Sequence, residues 1–158
     1  MTEWRKSIDL GFKTSSGNFS LRSAALVIHD NRLLVAQNDK FDCFYIVGGG
    51  IHEDESSAKA VIRELYEETG YRFEIDRLVF IQERFYKVGN IHYHEIVFFY
   101  LMKEADIKLE NGINTDQLNE KLYWIPIEKL NNINLVPAFL KTAMKNIPNE
   151  ITHIVSYE

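Results

Sequence analysis

The sequence predicts a single α+β domain, residues 1–158, in which a few helices cover a mixed sheet. The first observation is the order of patterns, because β-type segments dominate the chain and only a few helical segments interrupt them. The second is size, since a chain of 158 residues buries roughly 70% of its unfolded surface in one core. The third is that repeats, low-complexity stretches and linker-like segments are missing from the sequence.

Strand patterns precede the first helix. Apolar and β-branched residues predict strands at residues 8–12, 23–29, 32–37 and 44–47. The dipeptide Asp30-Asn31 predicts a tight hairpin turn between the second and third of these strands. Gly48, Gly49 and Gly50 follow the fourth strand, and three glycines in a row predict positive φ angles and close approach of a ligand.

The first helix is predicted from Glu55 to Thr69. Its apolar residues recur at i, i+3, i+4 and i+7, which makes one buried stripe: Ala58, Val61, Ile62 and Leu65. Gly70 follows the stripe and predicts the helix C-cap, because glycine adopts the left-handed conformation without strain.

The second half of the chain is predicted to add strands and two short helical segments. Two long strands, 77–86 and 91–102, are joined by a turn at Gly89-Asn90. A short strand, a helical turn that begins at Pro126, an amphipathic helix and a last strand or tail follow at 122–125, 126–130, 137–146 and 151–157.

Charge and cysteine content exclude several classes of function. A net charge of −5 makes nonspecific binding to nucleic acid polymers unexpected. The polar N-terminus does not resemble a secretory leader, and the longest apolar run, 96–102, is far shorter than the ~20 residues of a membrane helix. Cys43 is the single cysteine, so an internal disulfide is impossible, and a cytoplasmic location is expected. A polyanionic ligand would then need a metal ion to mediate its binding.

Three glutamates share one patch of the predicted first helix. Glu64, Glu67 and Glu68 lie at i, i+3 and i+4, so their Cβ atoms are roughly 5–6 Å apart. Like charges at this spacing destabilise a helix, whereas Mg²⁺ prefers clustered carboxylate oxygens. A solvated acidic face is the alternative interpretation. The glycine loop at a fixed distance before the acids favours a metal site.

The segment that contains these acids resembles the Nudix box. Gly49, Glu55 and the run Arg63-Glu64-Leu65-Tyr66-Glu67-Glu68-Thr69-Gly70 match the family pattern at its spacing. Tyr71 departs from it, because the family usually has an aliphatic residue there, and the departure concerns packing more than catalysis. The resemblance implies an α/β/α sandwich around a mixed sheet. It also implies hydrolysis of a nucleoside diphosphate linked to another group, with Mg²⁺ or Mn²⁺ as cofactor.

The resemblance also implies roles for individual residues. Glu67 and Glu68 correspond to metal ligands, Glu64 to a further ligand or the general base, and the Gly48 carbonyl to a backbone ligand. Arg63 and Glu55 correspond to the pair that orients the metal-binding glutamates.

Nudix enzymes often add an acid from outside the box. Glu95 is the predicted acid, as a metal ligand or base, because it lies at the start of a long apolar strand beside two histidines. Glu83 is the alternative acid, and a surface position is the competing interpretation for both. His94 is a weaker candidate for substrate contact.

Arginines and aromatic residues outside the box are candidates for substrate binding. Arg22 and Arg84 lie at strand ends and could bind phosphate, although an ordinary surface role competes. Stacking on a nucleobase is predicted for Phe44 and Tyr86, with Phe85 as a further candidate. Cys43 is expected to be an inert thiol.

The sequence therefore predicts a metal-dependent pyrophosphohydrolase that acts on a small nucleotide derivative. The alternative is a catalytically silent Nudix-fold module that binds nucleotides or regulates another protein, although none of the box acids is degraded. The box does not distinguish a modified nucleoside triphosphate from a nucleotide conjugate. A homodimer is compatible with the sequence.

Overall fold

The computed structural model describes residues 7–115 and 119–158, and it confirms the α+β fold. The helices are α1, Ser57–Thr69, and α2, Leu140–Ala143, with a 3₁₀ helix at Ile127–Asn132. The strands are β1 Gly11–Lys13, β2 Gly17–Leu26, β3 Ile28–His29, β4 Arg32–Asn38, β5 Phe44–Tyr45, β6 Gly48–Gly50, β7 Ile75–Val88, β8 Ile91–Met102, β9 Ile113–Asn114, β10 Glu120–Pro126, β11 Leu135–Val136 and β12 Thr152–Tyr157.

The larger sheet is mixed, as predicted. Its strands follow the order β1-β2-β8-β7-β12, and β6 pairs with β2. β2 runs parallel to β8 over ten residue pairs, and β7 and β8 form the long antiparallel hairpin expected from the sequence. The last strand, β12, runs parallel to β7, so the segment 151–157 is a strand and not a tail.

The smaller sheet has the order β11-β5-β4-β10-β9, with β3 paired to β4. Asp30 and Asn31 connect β3 to β4 with φ angles of 48° and 58°. These positive values are typical of a two-residue hairpin turn, which confirms the prediction for this dipeptide.

α1 is capped at both ends by its own sequence. Ser56 Oγ accepts a hydrogen bond from the Lys59 amide (3.2 Å), and Gly70 ends the helix with φ of 75°. The helix is anchored to the larger sheet by the Ser57 carbonyl, which accepts from Ser23 Oγ, and by the Ser57 hydroxyl, which bonds to the Tyr100 hydroxyl.

Two apolar clusters lie on opposite faces of the larger sheet. α1 covers one face with Val61 and Leu65, and Tyr71 packs at the border of this cluster. α2 covers the other face with Leu140. The departure of Tyr71 from the box pattern is therefore accommodated in packing.

Two predictions need correction. The helix predicted at 137–146 is regular only over Leu140–Ala143, and turns with i→i+3 bonds occupy the rest. The glycine run is not a loop, because Gly48–Gly50 form β6 against β2.

Within the described residues, no helix is long and apolar enough to cross a membrane.

Candidate active site

The glycine strand brings the start of the box against β2 and α1. Positive φ angles were expected for Gly48–Gly50, but none of these glycines adopts one. The reason for glycine is space instead. A Cβ at Gly48 would collide with the Ser23 carbonyl oxygen, and a Cβ at Gly49 would collide with the Glu64 carboxyl group. The group that lies close to the glycine backbone in this structure is thus the Glu64 carboxyl at Gly49.

Arg63 connects the end of β6 and Glu55 to the acidic face of α1. Its guanidinium donates two hydrogen bonds to the Glu55 carboxylate (2.8 and 2.9 Å), one to Glu64 Oε1 (2.6 Å) and one to the Gly50 carbonyl (2.9 Å). Glu67 Oε2 lies 3.5 Å from Arg63 Nη1, which is the i, i+4 contact that the helix spacing allowed. The bidentate contact with Glu55 fixes the plane of the guanidinium, and the guanidinium in turn fixes Glu64.

Glu55 and Glu64 share Arg63 but differ in electrostatics. Hydrogen bonds from Arg63 hold the pKa of Glu55 below its usual range. Burial raises the pKa of Glu64 even though Arg63 opposes the shift, since only 8% of Glu64 is exposed. Glu64 is therefore a poorly solvated carboxyl group, and among the described residues its only ion-pair partner is Arg63, which also contacts Glu55 and Glu67.

Glu68 is buried beside a second acid, Glu120 at the start of β10. Burial and the neighbouring Glu120 raise the pKa of Glu68 to about 9. Glu68 Oε2 is buried and has no hydrogen-bond partner among the described residues. The Tyr45 hydroxyl donates a hydrogen bond to Glu120 Oε2. Two adjacent buried carboxyl groups with an oxygen left over are the donor set that a hard divalent cation fits.

Sequence reasoning missed Glu120. β10 alternates buried and half-buried residues, and Glu120 occupies a buried position in phase with Leu122 and Trp124. An acid at an apolar position of an alternating strand was the available signal. The proximity of Glu120 to Glu68 depends on the pairing of β10 with β4, which the sequence does not indicate.

Glu95 lies in β8 and is held by three side chains. Its carboxylate accepts hydrogen bonds from Tyr86 (3.1 Å) and Ser20 (3.3 Å), and Arg84 Nη1 lies 3.5 Å away. No contact within 7–115 and 119–158 joins Glu95 to Glu64, Glu67 or Glu68. A metal-binding role for Glu95 stays a prediction. The Glu95 side chain lines a cavity that lies beside the box.

This cavity has a volume of about 620 Å³ and lies next to the box. Five predicted site residues line it, namely Gly48, Arg22, Arg84, Tyr86 and Glu95. Arg22 lines this cavity, and its positive charge lowers the pKa of Glu64, Glu68 and Tyr86 against the larger effect of burial.

The two arginines differ in their partners. Arg84 is paired with Glu158 (2.8 Å) and Glu95, and its guanidinium lies 4.2 Å from the centre of the Tyr86 ring. Arg22 makes no ion pair or side-chain hydrogen bond with any residue of the described ranges. Arg22 is therefore the cation whose hydrogen-bonding capacity remains for an anionic ligand.

Aromatic residues are placed only partly as predicted. Tyr86 stacks on Tyr93 at 4.8 Å, and both line the cavity. Phe44 is half-buried, packs edge-on against Tyr123 beside the apolar core and does not line the cavity, so its predicted stacking on a base stays a prediction. Phe41, which is 59% exposed, lines the cavity in its place.

The remaining candidates are Glu83 and His94, on the opposite face of the larger sheet, and the thiol of Cys43. Glu83 is paired with His153 (2.7 Å), and its neighbour Arg84 points to the other face because side chains alternate along a strand. His94 stacks on Phe85 at 4.3 Å beside a separate cavity of about 400 Å³. Burial raises the pKa of Cys43, which agrees with an unreactive thiol.

Comparisons with known proteins identify the family of the chain. The family model of the NUDIX domain matches residues 20–147. Human diphosphoinositol polyphosphate phosphohydrolase NUDT4B is 28% identical over 118 residues, which cover 75% of this chain and 60% of that protein. Human diphosphoinositol polyphosphate phosphohydrolase 3-beta is 26% identical over 118 residues, which cover 75% of this chain and 66% of that protein. The chain thus spans less than two thirds of the length of these relatives.

Solved structures share the fold at low sequence identity. A MutT protein from Bacillus halodurans aligns with a TM-score of 0.71 at 15% identity, over 87% of this chain and 89% of that one. A MutT NUDIX hydrolase from Burkholderia pseudomallei aligns with a TM-score of 0.59 at 19% identity, over 82% of this chain and 98% of that one. The family match over residues 20–147 shows that the chain belongs to the NUDIX domain family, and the solved structures share its fold.

Proposed function

We propose that this protein is a metal-dependent hydrolase that cleaves a diphosphate linkage in a nucleoside diphosphate derivative. The observation that carries the proposal is the excess of acid around α1. Glu64, Glu67, Glu68 and Glu120 converge with Arg63 as their only ion-pair partner in the described ranges, and Glu68 retains an unpartnered buried oxygen. Buried charges persist in proteins when they are paired or bind metal, so this arrangement supports a divalent cation.

Mg²⁺ or Mn²⁺ would be held by Glu64, Glu67 and Glu68 with the Gly48 carbonyl, and Glu120 would add an oxygen beside Glu68. Such an ion lowers the pKa of bound water and neutralises phosphate charge. Arg63, clamped by Glu55, fixes the orientation of Glu64. The alternative role for Glu64 is that of general base in place of metal ligand, because its raised pKa suits a group that accepts a proton from the attacking water.

The substrate phosphates would bind at Arg22. Its guanidinium is unpaired within the described ranges, Arg22 lines the cavity, and its charge acts on Glu64 of the box. A planar guanidinium binds phosphate oxygens in bidentate fashion. Arg84, already paired with Glu95 and Glu158, would keep the cavity wall in place and serve phosphate less directly.

The cavity favours a nucleoside over a polyphosphorylated ring. Much of its lining is apolar or aromatic, and its only cationic side chains in the described ranges are Arg22 and Arg84. A ligand with many phosphates would need more cations than these two. The relatives named as diphosphoinositol polyphosphate phosphohydrolases make such a ligand the second candidate, which a substrate test can distinguish.

A substrate panel with Mg²⁺ tests the proposal. The panel compares ADP-ribose, a dinucleoside polyphosphate, 8-oxo-dGTP, a diphosphoinositol polyphosphate and p-nitrophenyl phosphate. We expect turnover of at least one nucleoside derivative and none of the monoester. Strong turnover of the monoester with no diphosphate cleaved would overturn the proposal. Absence of any turnover would favour the silent nucleotide-binding module instead.

Two further expectations concern the whole molecule. We expect a cytoplasmic protein, as the single cysteine suggests. We expect Cys43 to stay a thiol, because burial raises its pKa. We also expect the chain to remain active as a monomer or as a homodimer, because the cavity and the box acids come from one chain. Light scattering of the active enzyme measures which of the two forms is present.

Glu95→Gln is expected to lower kcat at least tenfold, because the neutral amide weakens the buried contacts with Arg84 and Tyr86 that shape the cavity. Glu83→Gln is the matched control, since Glu83 lies on the other face, paired with exposed His153. Steady-state kinetics at saturating substrate measure both variants. A large loss for Glu83→Gln with none for Glu95→Gln would reverse the choice of acid.

Divalent metal is expected to raise the melting temperature of the protein without substrate. Binding to the folded state alone stabilises by about 2.7 kcal/mol at 100 times Kd, which for a domain of this size is a shift of roughly 5–10 °C. Thermal denaturation in Mg²⁺ or Mn²⁺, against NaCl of equal ionic strength, measures it. An unchanged melting curve at millimolar metal would mean that the acids do not form a site before substrate binds.

A further inference from the structure

Gln82 is a buried polar residue that the reaction described above does not use. It lies in the middle of β7 and lines the cavity, with none of its surface exposed to solvent. Its Nε2 donates a hydrogen bond to Ser156 Oγ at 2.8 Å. Its Oε1 is buried and has no hydrogen-bond partner among residues 7–115 and 119–158.

An unpartnered amide oxygen at this position needs an explanation. The large majority of buried polar side-chain atoms in folded proteins have a partner. Leaving one without a partner costs roughly 1–3 kcal/mol. Because Gln82 lines the cavity, a ligand that shifts the lining enough to expose Oε1 could supply the missing hydrogen bond.

The residues around Gln82 indicate the shape and length of such a ligand. Val97, Phe99 and Pro137 make the nearby lining apolar, which suits a flat ring. Val97 is the register partner of both Arg22 and Gln82, so these two residues lie two strands apart in one row. Adjacent strands are about 4.8 Å apart, so the row separates the two backbones by about 10 Å. A ligand with phosphate at one end and a ring at the other fits this separation.

We propose that Gln82 determines base specificity by accepting a hydrogen bond from an N–H donor on the nucleobase. This inference rests on the proposed function, because it places the phosphates at Arg22 and the base in the same cavity. The donor would be an exocyclic amine or a ring N–H, and the apolar lining would exclude water from the bond. A nucleobase that lacks a donor leaves Oε1 without its partner and binds more weakly.

The test uses substrates that differ only in this donor. ATP and ADP-ribose are compared with their purine riboside analogues, which lack the amine, and UDP-glucose is compared with its N3-methyluridine analogue. We expect the wild-type protein to prefer the donor-bearing member of the cleaved pair by about 10- to 100-fold in kcat/KM. In Gln82→Met the preference falls to about twofold or less through loss of activity on the donor-bearing substrate.

Ser156→Ala is the matched control. It removes the same link between β7 and β12 but leaves Gln82 Oε1 in place, so the preference persists. Equal kcat/KM for both members of each pair in the wild type would overturn the inference even if Gln82→Met does not fold. An unchanged preference in folded Gln82→Met would overturn it as well. Hydrolysis continues in both cases, whereas failure of the proposed function abolishes Mg²⁺-dependent hydrolysis of every diphosphate.

Discussion

Glu68→Gln is expected to lower kcat by at least about 100-fold while the fold is kept or stabilised. The activity falls because the amide removes a negative ligand from the acidic face of α1. The fold is not weakened, because burial beside Glu120 raises the pKa of Glu68, and the amide removes the free-energy cost of keeping this carboxyl protonated in the folded state. Opposite signs for activity and stability distinguish this variant from one that merely disrupts packing.

Steady-state kinetics and thermal denaturation of the same preparation measure the two effects. Glu53→Gln is the matched control, since Glu53 is an exposed acid just before α1. Glu67→Gln is expected to lose activity similarly, although its more exposed side chain gives no gain in stability. Near-normal kcat in Glu68→Gln would contradict the assignment of Glu68 as a metal ligand.

Arg63→Leu is expected to lower the free energy of unfolding by about 2–4 kcal/mol and to abolish activity. Removing one partner of a buried ion pair costs about 3–5 kcal/mol, and partial exposure of Arg63 reduces this. The loss is large because Glu55, Glu64 and the Gly50 carbonyl all lose their donor. Urea denaturation measures the stability, and hydrolysis rates measure the activity.

Arg63→Lys is the control that keeps the charge. Lysine cannot reproduce the bidentate contact with Glu55 together with the bonds to Glu64 and Gly50. We therefore expect it to recover part of the stability and little of the activity. Full activity in Arg63→Lys would show that charge alone is needed, and that orientation of Glu64 by a planar guanidinium is not.

Local sequence signals predicted the elements that depend on local chemistry. Asp30-Asn31 tolerates positive φ, Gly70 ends α1, and the apolar stripe of α1 contains the buried residues Val61 and Leu65. These features follow from neighbours within a few positions. The contact of Arg63 with Glu55 also followed, because the box pattern specifies both residues.

Long-range pairing could not be predicted in the same way. β6 forms because the Gly48–Gly50 backbone pairs with β2, and a run of glycines has no side-chain periodicity that indicates a strand. Phe44 and Phe41 differ in burial only because β5 pairs with β4 and β11. Glu120 reaches Glu68 through the pairing of β10 with β4, which is set by contacts far apart in sequence.

The central claim is that the acids of α1 form a metal site that drives hydrolysis of a diphosphate linkage. The rate of phosphate release from the best nucleoside diphosphate derivative, after coupling to a phosphatase, tests it most directly in Mg²⁺ and in excess EDTA. We predict turnover in Mg²⁺, loss of turnover in EDTA and recovery when Mg²⁺ or Mn²⁺ is restored. Full turnover in excess EDTA would contradict the claim.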